Sequence, residues 1–349
     1  MFTTTSGATG NATSAYIVEE ESAGASGSAI LRLQRRAPQM RAGGTLFVFS
    51  GGGARGALHV GALRALYEAG IRPDALVGTS IGAWNAAWLA HAPTLEGVEA
   101  LAAIWRGLQP GQALLGQKHP LCSRLHTLKG LLMLTALRRI IAGGSSLYSN
   151  TGMRAILAQR FTGMTFGDLS LPLSVIATDL SHGGRAIFRH GPIVDAVLAS
   201  SAIPGIFPPV DIDGSIYADG GMVDGCSIET AIDMGASRIF VLAIGYETED
   251  GDGASWTRSA RPSVPSVIQR ASQVMGNYQI QRALERAPRS VETHLISLSP
   301  GSGGGSLNFE HVAGWIEQAY RSTRAYLEAT YVGDERREAA SQSMAARTA

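Results

Sequence analysis

Apolar residues fall along this chain in short runs separated by glycine-rich turns and by stretches of helical periodicity. Thr45-Leu46-Phe47-Val48-Phe49-Ser50 is the first run, short enough for a buried strand. After Gly51-Gly52-Gly53-Ala54-Arg55-Gly56, the positions Val60, Leu63, Leu66 and Tyr67 share one helical face, and Gly70 closes that helix. The unit then repeats. Ala75-Leu76-Val77 reads as a strand, Gly78 to Gly82 as a tight turn and Ala83 to Ala90 as a helix. Two strand-turn-helix units in succession predict a parallel sheet covered by helices. Further strands are expected at 173–178, 239–244 and 291–298, with helices near 264–286 and 309–330. Loops are expected at 246–263 and 299–306. Residues 1–43, rich in Ser, Thr, Gly and Ala, read as disordered, and 332–349 as a flexible tail. One α/β domain over 44–331 remains.

Composition narrows the function classes. Hydrophobic residues make up 45% of the chain, enough for a sizeable core. Charged residues reach only 16% and the net charge is +1, so nothing points to nucleic acid as a partner. The two cysteines, Cys122 and Cys226, have no metal-site spacing and make no disulfide framework. The N-terminus lacks the pattern of a signal peptide, and no apolar window reaches the ~18 residues of a membrane span. A cytoplasmic protein, peripheral to membranes at most, is expected.

Ser80 lies in Gly78-Thr79-Ser80-Ile81-Gly82, a G-x-S-x-G sequence between strand and helix. A serine hydroxyl needs exposure and a partner to take its proton. The strained turn supplies the exposure, and the helix behind it aims its positive end at the nucleophile. The glycine cluster 51–56 can supply backbone N–H donors for an oxyanion. It also satisfies G-x-G-x-x-G, the dinucleotide fingerprint, but the nearest acidic candidate, Asp74, precedes the second strand instead of ending it. None of the eight histidines stands in a triad context; His59 follows the glycine loop on a helix. Asp219, in Tyr217-Ala218-Asp219-Gly220-Gly221 after the expected strand 215–217, is either a carboxylate brought to a site or an ordinary Asp-Gly turn.

These elements in this order resemble the patatin-like phospholipase family. The likeness runs from about 44 to 245. It rests on Gly51-Gly52-Gly53-Ala54-Arg55-Gly56, on Gly78-Thr79-Ser80-Ile81-Gly82-Ala83 and on Ala177-Thr178-Asp179-Leu180. It continues through Ala199-Ser200-Ser201-Ala202-Ile203-Pro204-Gly205 with its Phe207-Pro208-Pro209, and ends on Asp219-Gly220-Gly221. The resemblance implies a three-layer α/β/α fold with a mostly parallel central sheet. It implies a serine acyl hydrolase acting on lipid acyl esters (phospholipase A or lysophospholipase-like) through an acyl-serine intermediate, without metal or cofactor. Ser80 would be the nucleophile and Asp219 the base. Backbone N–H groups of Gly52, Gly53, Ala54 and Arg55 would form the oxyanion hole, and Arg55 would steer anionic lipid. One departure stands out: where the family commonly continues with two Asn and a Pro, this chain has Met222-Val223-Asp224-Gly225-Cys226, which predicts a looser supporting loop.

Two other readings are kept: a carboxylesterase or thioesterase on soluble acyl esters, and a catalytically silent lipid-binding protein. The Leu-rich stretch 124–141, with basic residues at both ends, reads either as an amphipathic lid in peripheral contact with a membrane or as a core helix. No feature of the sequence fixes an oligomeric state.

Overall fold

The computed structural model describes residues 18–20, 43–108, 134, 136, 138–139, 141–246, 264–299 and 309–348; for 18–20, 264–265, 269 and 331–348 it describes the backbone alone. Most of the stretch 124–141, Cys122, and all but the first residue of each of the expected loops 246–263 and 299–306 therefore lie outside the described residues.

A nine-stranded mixed sheet forms the centre, in the order β1-β5-β4-β3-β2-β8-β9. The strands are β1 (Val18–Glu20), β2 (Gly44–Phe49), β3 (Ala75–Thr79), β4 (Leu173–Asp179), β5 (Gly184–Phe188), β6 (Val210–Ile212), β7 (Ser215–Asp219), β8 (Ala236–Ile244) and β9 (Glu292–Leu298). The five strands β4-β3-β2-β8-β9 are mutually parallel. Strands β5, β7 and β6 join as antiparallel hairpins beside β4.

Alternating side chains feed two cores. Phe47 and Phe49 of β2, with Phe240 and Leu242 of β8, face one layer of helices. That layer holds α1 (Ala57–Glu68), α2 (Ile81–His91), α3 (Leu95–Gly107), α4 (Thr151–Phe161), α5 (Ile193–Ser200) and the start of α8 (Val312–Thr348). Leu46 and Val48, with Ile239 and Val241, face the opposite layer, where α6 (Ile228–Asp233) and α7 (Val264–Arg286) pack. The architecture is thus three-layer α/β/α.

The site is positioned by β4. Along one edge it pairs first with β3, ending at Thr79↔Ile176, and the next position, Ala177, pairs with Asp219 of β7. One strand edge therefore sets Thr79, the residue before Ser80, beside Asp219, although Ser80 and Asp219 are 139 positions apart in sequence.

Some elements differ from expectation. Within the N-terminal segment read as disordered, Val18–Glu20 pairs antiparallel with β5 at Val18↔Phe188. Overall Ser/Gly-rich composition hides so short a pairing. Helix α8 runs to Thr348, through the segment read as a tail. Its polar sequence there, Glu-Arg-Arg-Glu-Ala-Ala at 335–340, is rich in helix formers and lacks apolar periodicity. Asp219 closes β7 instead of following it.

Candidate active site

Ser80 sits between β3 and α2 with φ 57° and ψ −127°. It is one of two non-glycine residues at positive φ among those described, in a region of backbone space that L-residues rarely occupy. The flanking glycines make this turn possible by close approach. A Cβ on Gly82 would lie 2.3 Å from the Phe49 carbonyl oxygen, and one on Gly78 2.6 Å from the Ala83 Cα. The turn is also fixed by hydrogen bonds. The Ser80 N–H donates to Ser200 Oγ at 2.8 Å, and the Ser200 hydroxyl donates to the Ile176 carbonyl at 2.5 Å.

The Ser80 hydroxyl donates to Asp219 Oδ2 at 2.6 Å. The other carboxylate oxygen, Oδ1, accepts from the Gly221 N–H at 2.8 Å. Behind it the Thr178 hydroxyl donates to the Asp219 carbonyl at 2.8 Å. Both side chains are buried, at 5% and 6% exposure, so few waters compete for this contact. Burial pushes the Asp219 carboxyl from the ordinary 3.8 up to about 6, against the opposing pull of hydrogen bonds from Ser80 and Gly221.

The loop after Asp219 is firmly tied, contrary to the looseness expected from its unusual sequence. The Asp224 carbonyl accepts from the Thr79 hydroxyl at 3.1 Å, and the Gly225 carbonyl accepts from the Gly51 N–H at 3.1 Å. The Gly225 N–H donates to Gln279 Oε1 of α7 at 2.8 Å. The Asp224 carboxylate accepts from Arg185 at 2.8 Å and from the Ser227 hydroxyl. One loop thus braces the residue before Ser80 and the start of the glycine turn together. Sequence reasoning missed Thr79, Asp224 and Ser200 as supports, because each acts through a contact distant in sequence.

The glycine turn lies against the serine. A Cβ on Gly51 would stand 3.4 Å from the Ser80 Cβ. The next residues form a 3₁₀ turn, Gly53–Gly56, at the start of α1, with Gly53 at φ 60°. Gly53 and Ala54 line the same cleft as Ser80. Gly52 backs onto Ile244, where an added Cβ would meet the side chain at 2.8 Å. Arg55 turns back to donate from Nε to the Gly52 carbonyl at 3.3 Å, and burial lowers its pKa. Its side chain thus braces the turn itself. The cleft spans about 590 Å³ with its open mouth included, and its walls are apolar: Ile81, Trp84, Trp105, Leu108, Met153, Ile156, Ile203, Phe207 and Phe309.

His59 is near the turn but faces away from this chemistry. It is fully buried, and its Nε2 donates to the Leu242 carbonyl at 3.2 Å. Asn85 donates from Nδ2 to His59 Nδ1 at 3.1 Å and to the Gly56 carbonyl at 2.8 Å, and accepts from Trp105 Nε1 at 2.8 Å. That network assigns the tautomer. Desolvation drives the His59 pKa down to about 3, so the ring is neutral. Asp74 is at the other end of the strands, where its Oδ2 accepts from the Thr45 N–H at 2.7 Å. A carboxylate so placed cannot bind a ribose held at the glycine turn. Among the described residues no His/Cys/Asp/Glu group is placed to hold a metal, and no helix is long and apolar enough to cross a membrane.

Comparison with known proteins supplies a family. Residues 47–232 match the family model described as patatin-like phospholipase. The chain is 29% identical over 204 residues to patatin-like phospholipase domain-containing protein 7 of Rattus norvegicus, covering 58% of this chain and 14% of that protein. It is 27% identical over 218 residues to an uncharacterized NTE family protein of Mycobacterium bovis, covering 61% of this chain and 51% of the relative. The match thus spans about half the length of these relatives or less. Among solved structures, VipD from Legionella pneumophila is similar with a TM-score of 0.44 and 16% identity, over 84% of this chain and 67% of that one.

Proposed function

The chain belongs to the patatin-like phospholipase family, and from that premise we propose that it hydrolyses lipid acyl esters with Ser80 as nucleophile and Asp219 as base. The 2.6 Å hydrogen bond from the Ser80 hydroxyl to Asp219 Oδ2, inside a strained turn at an apolar cleft, is the observation that carries this reading.

Ser80 Oγ attacks the ester carbonyl carbon while its proton passes to Asp219 Oδ2 along the existing hydrogen bond. The carbonyl π pair moves to oxygen, and the N–H groups of Gly52, Gly53, Ala54 and Arg55 stabilise that oxyanion. Collapse expels the alcohol, which takes the proton from Asp219, and leaves an acyl-Ser80 ester. Water then attacks this ester, gives a proton to Asp219, and the fatty acid leaves as Ser80 regains its proton. No metal is required. A carboxylate with a pKa near 6 is a stronger base than an ordinary one, and it is still about nine-tenths ionised at pH 7. The apolar walls suit an acyl chain, which favours lipid over small soluble esters as substrate.

The test is hydrolysis of phospholipid and lysophospholipid by the wild type and by Ser80→Ala. The proposal expects a fall of ~10³-fold or more in the variant, with an unchanged circular dichroism spectrum. Wild-type hydrolysis by Ser80→Ala would refute it.

A further inference from the structure

Helix α7 carries apolar residues on two opposite faces. Ile280, Ala283 and Leu284 of its second half pack on the core beneath the sheet. Val267, Ile268, Ala271, Val274, Met275 and Tyr278 recur at i, i+1, i+4, i+7, i+8 and i+11, and so form a stripe ~120° wide on the other side. That stripe faces solvent: Val267 is 46% exposed, Ile268 60%, Val274 53% and Tyr278 62%. Four such side chains on one stripe of one helix make a contiguous patch, unlike scattered exposed apolar residues.

The placement of the stripe is specific. Helix α7 runs antiparallel to β8, leaving the strand's C-terminal end and delivering the chain to β9, which pairs with the strand's beginning at Arg238↔Glu292. The Gln273 amide donates to the carbonyl of Gly245, the residue that follows the end of β8, at 3.1 Å. Residues 264–272 therefore extend past the end of the sheet by ~13 Å. They do so at the edge that carries Ser80 and the glycine turn. Gln279, nearly two turns below Gln273, is the residue bound to the loop of Asp219.

Charge along this face is predominantly basic. No acidic residue occurs between Val264 and Gln281; Arg270 flanks the stripe, and Arg282 and Arg286 continue it at its far end, with Glu285 as the single carboxylate between them. The Arg282–Glu285 and Arg286–Glu229 pairs are exposed, at 2.9 and 3.4 Å, and so are weak. Read from the catalytic edge outward, the face presents aliphatic side chains, then a tyrosine, then two arginines with one glutamate, a net positive end. That order matches the acyl layer, interface and headgroups of a bilayer. A three-turn stripe offers far less than the ~800 Å² per partner of a stable dimer, which argues against a second copy as occupant.

We propose that the N-terminal half of α7 is the element by which this protein seats its catalytic edge on a lipid surface containing anionic phospholipid. The proposal rests on the lipid-hydrolase reading only for its purpose; the docking itself is independent of Ser80. The full chain is sedimented with vesicles of phosphatidylcholine mixed with phosphatidylglycerol. Val267→Asp/Val274→Asp is expected to lower the bound-to-free ratio ~10-fold or more, while hydrolysis of a soluble short-chain ester stays within ~2-fold of wild type. Arg282→Gln/Arg286→Gln is expected to lower binding ~3-fold or more, and only to vesicles holding the anionic lipid. If the aspartate variant loses soluble-ester activity as well, Val267→Ser/Val274→Ser decides by the same two readings. Wild-type vesicle binding by the folded stripe variants overturns the proposal, as does a wild-type dimer dissociated by them with no vesicle binding. Ser80→Ala that still sediments with vesicles separates the two proposals: docking then stands whatever becomes of the hydrolase reading.

Discussion

Two buried titratable side chains flank the glycine turn, and burial acts on them in opposite directions. Asp219 lies at the end of β7 with its carboxylate against the Ser80 hydroxyl, and its pKa rises to about 6. His59 lies in the first turn of α1 on the far side of the loop, enclosed by Asn85 and the Leu242 carbonyl, and its pKa falls to about 3. Desolvation disfavours charge in both. For the carboxyl it yields a stronger base that is still ionised near neutrality; for the imidazole it yields a neutral group with both nitrogens already engaged. On the proposed reading, the difference accounts for an aspartate serving as base in a site with a histidine close by in sequence.

Asp219→Asn keeps the shape and the Gly221 contact but removes the proposed base, so kcat/KM for a soluble ester should fall ~10²–10³-fold. Stability should not fall with it. Because the folded pKa lies above the ordinary 3.8, the folded state binds the proton more tightly, and wild-type stability declines as pH rises from about 3.8 through about 6. The gap corresponds to about 3 kcal/mol of burial cost above pH 6. Denaturant unfolding at pH 8 should therefore find Asp219→Asn as stable as wild type or more so. A clear loss of stability there would mean that the carboxylate is chiefly structural.

His59→Gln should do the reverse, with stability lower by ~1–3 kcal/mol and kcat/KM of the folded fraction within ~3-fold of wild type. His59 takes up its proton in the unfolded chain before the folded one. Its contribution to stability is thus lost as pH falls from 6.5 toward about 3. Unfolding midpoints between those values should depend less on pH in the variant. The kcat/KM profile should keep its acidic limb near pH 6 in both proteins, since Asp219 sets it; a limb that moves in His59→Gln would return the base role to the ring.

The smallest effect is expected at Thr79→Val, which removes the hydroxyl bond to the Asp224 carbonyl. A loss of ~1 kcal/mol in stability and less than 10-fold in kcat/KM should follow. A larger loss in kcat/KM would show the loop 222–226 positioning the dyad more tightly than a single brace suggests.

The parts of the site that depend on local sequence were legible before the fold was known. Gly78 and Gly82 announce a turn that admits no Cβ, and the apolar runs at 45–50 and 75–77 announce the strands that carry it. The pairing of Ser80 with Asp219 was legible only through family likeness. Asp-Gly-Gly alone is equally an ordinary turn, and the edge of β4 that joins the two residues leaves no trace in either segment. The supporting contacts of Thr79, Ser200 and Asp224 leave no trace in the local sequence, because single hydroxyls and carbonyls find their partners only in three dimensions. The apolar residues of α7 predict a helix and no more, since periodicity does not tell which of two apolar faces is covered.

Activation of Ser80 by Asp219 without a histidine is read out by covalent labelling with a fluorophosphonate, with the modified residue located by mass spectrometry and its rate compared across variants. One adduct is expected, on Ser80, absent in Ser80→Ala, formed at the wild-type rate in His59→Gln and slowed ~100-fold in Asp219→Asn. Labelling at another residue, or wild-type labelling of Ser80 in Asp219→Asn, would contradict it.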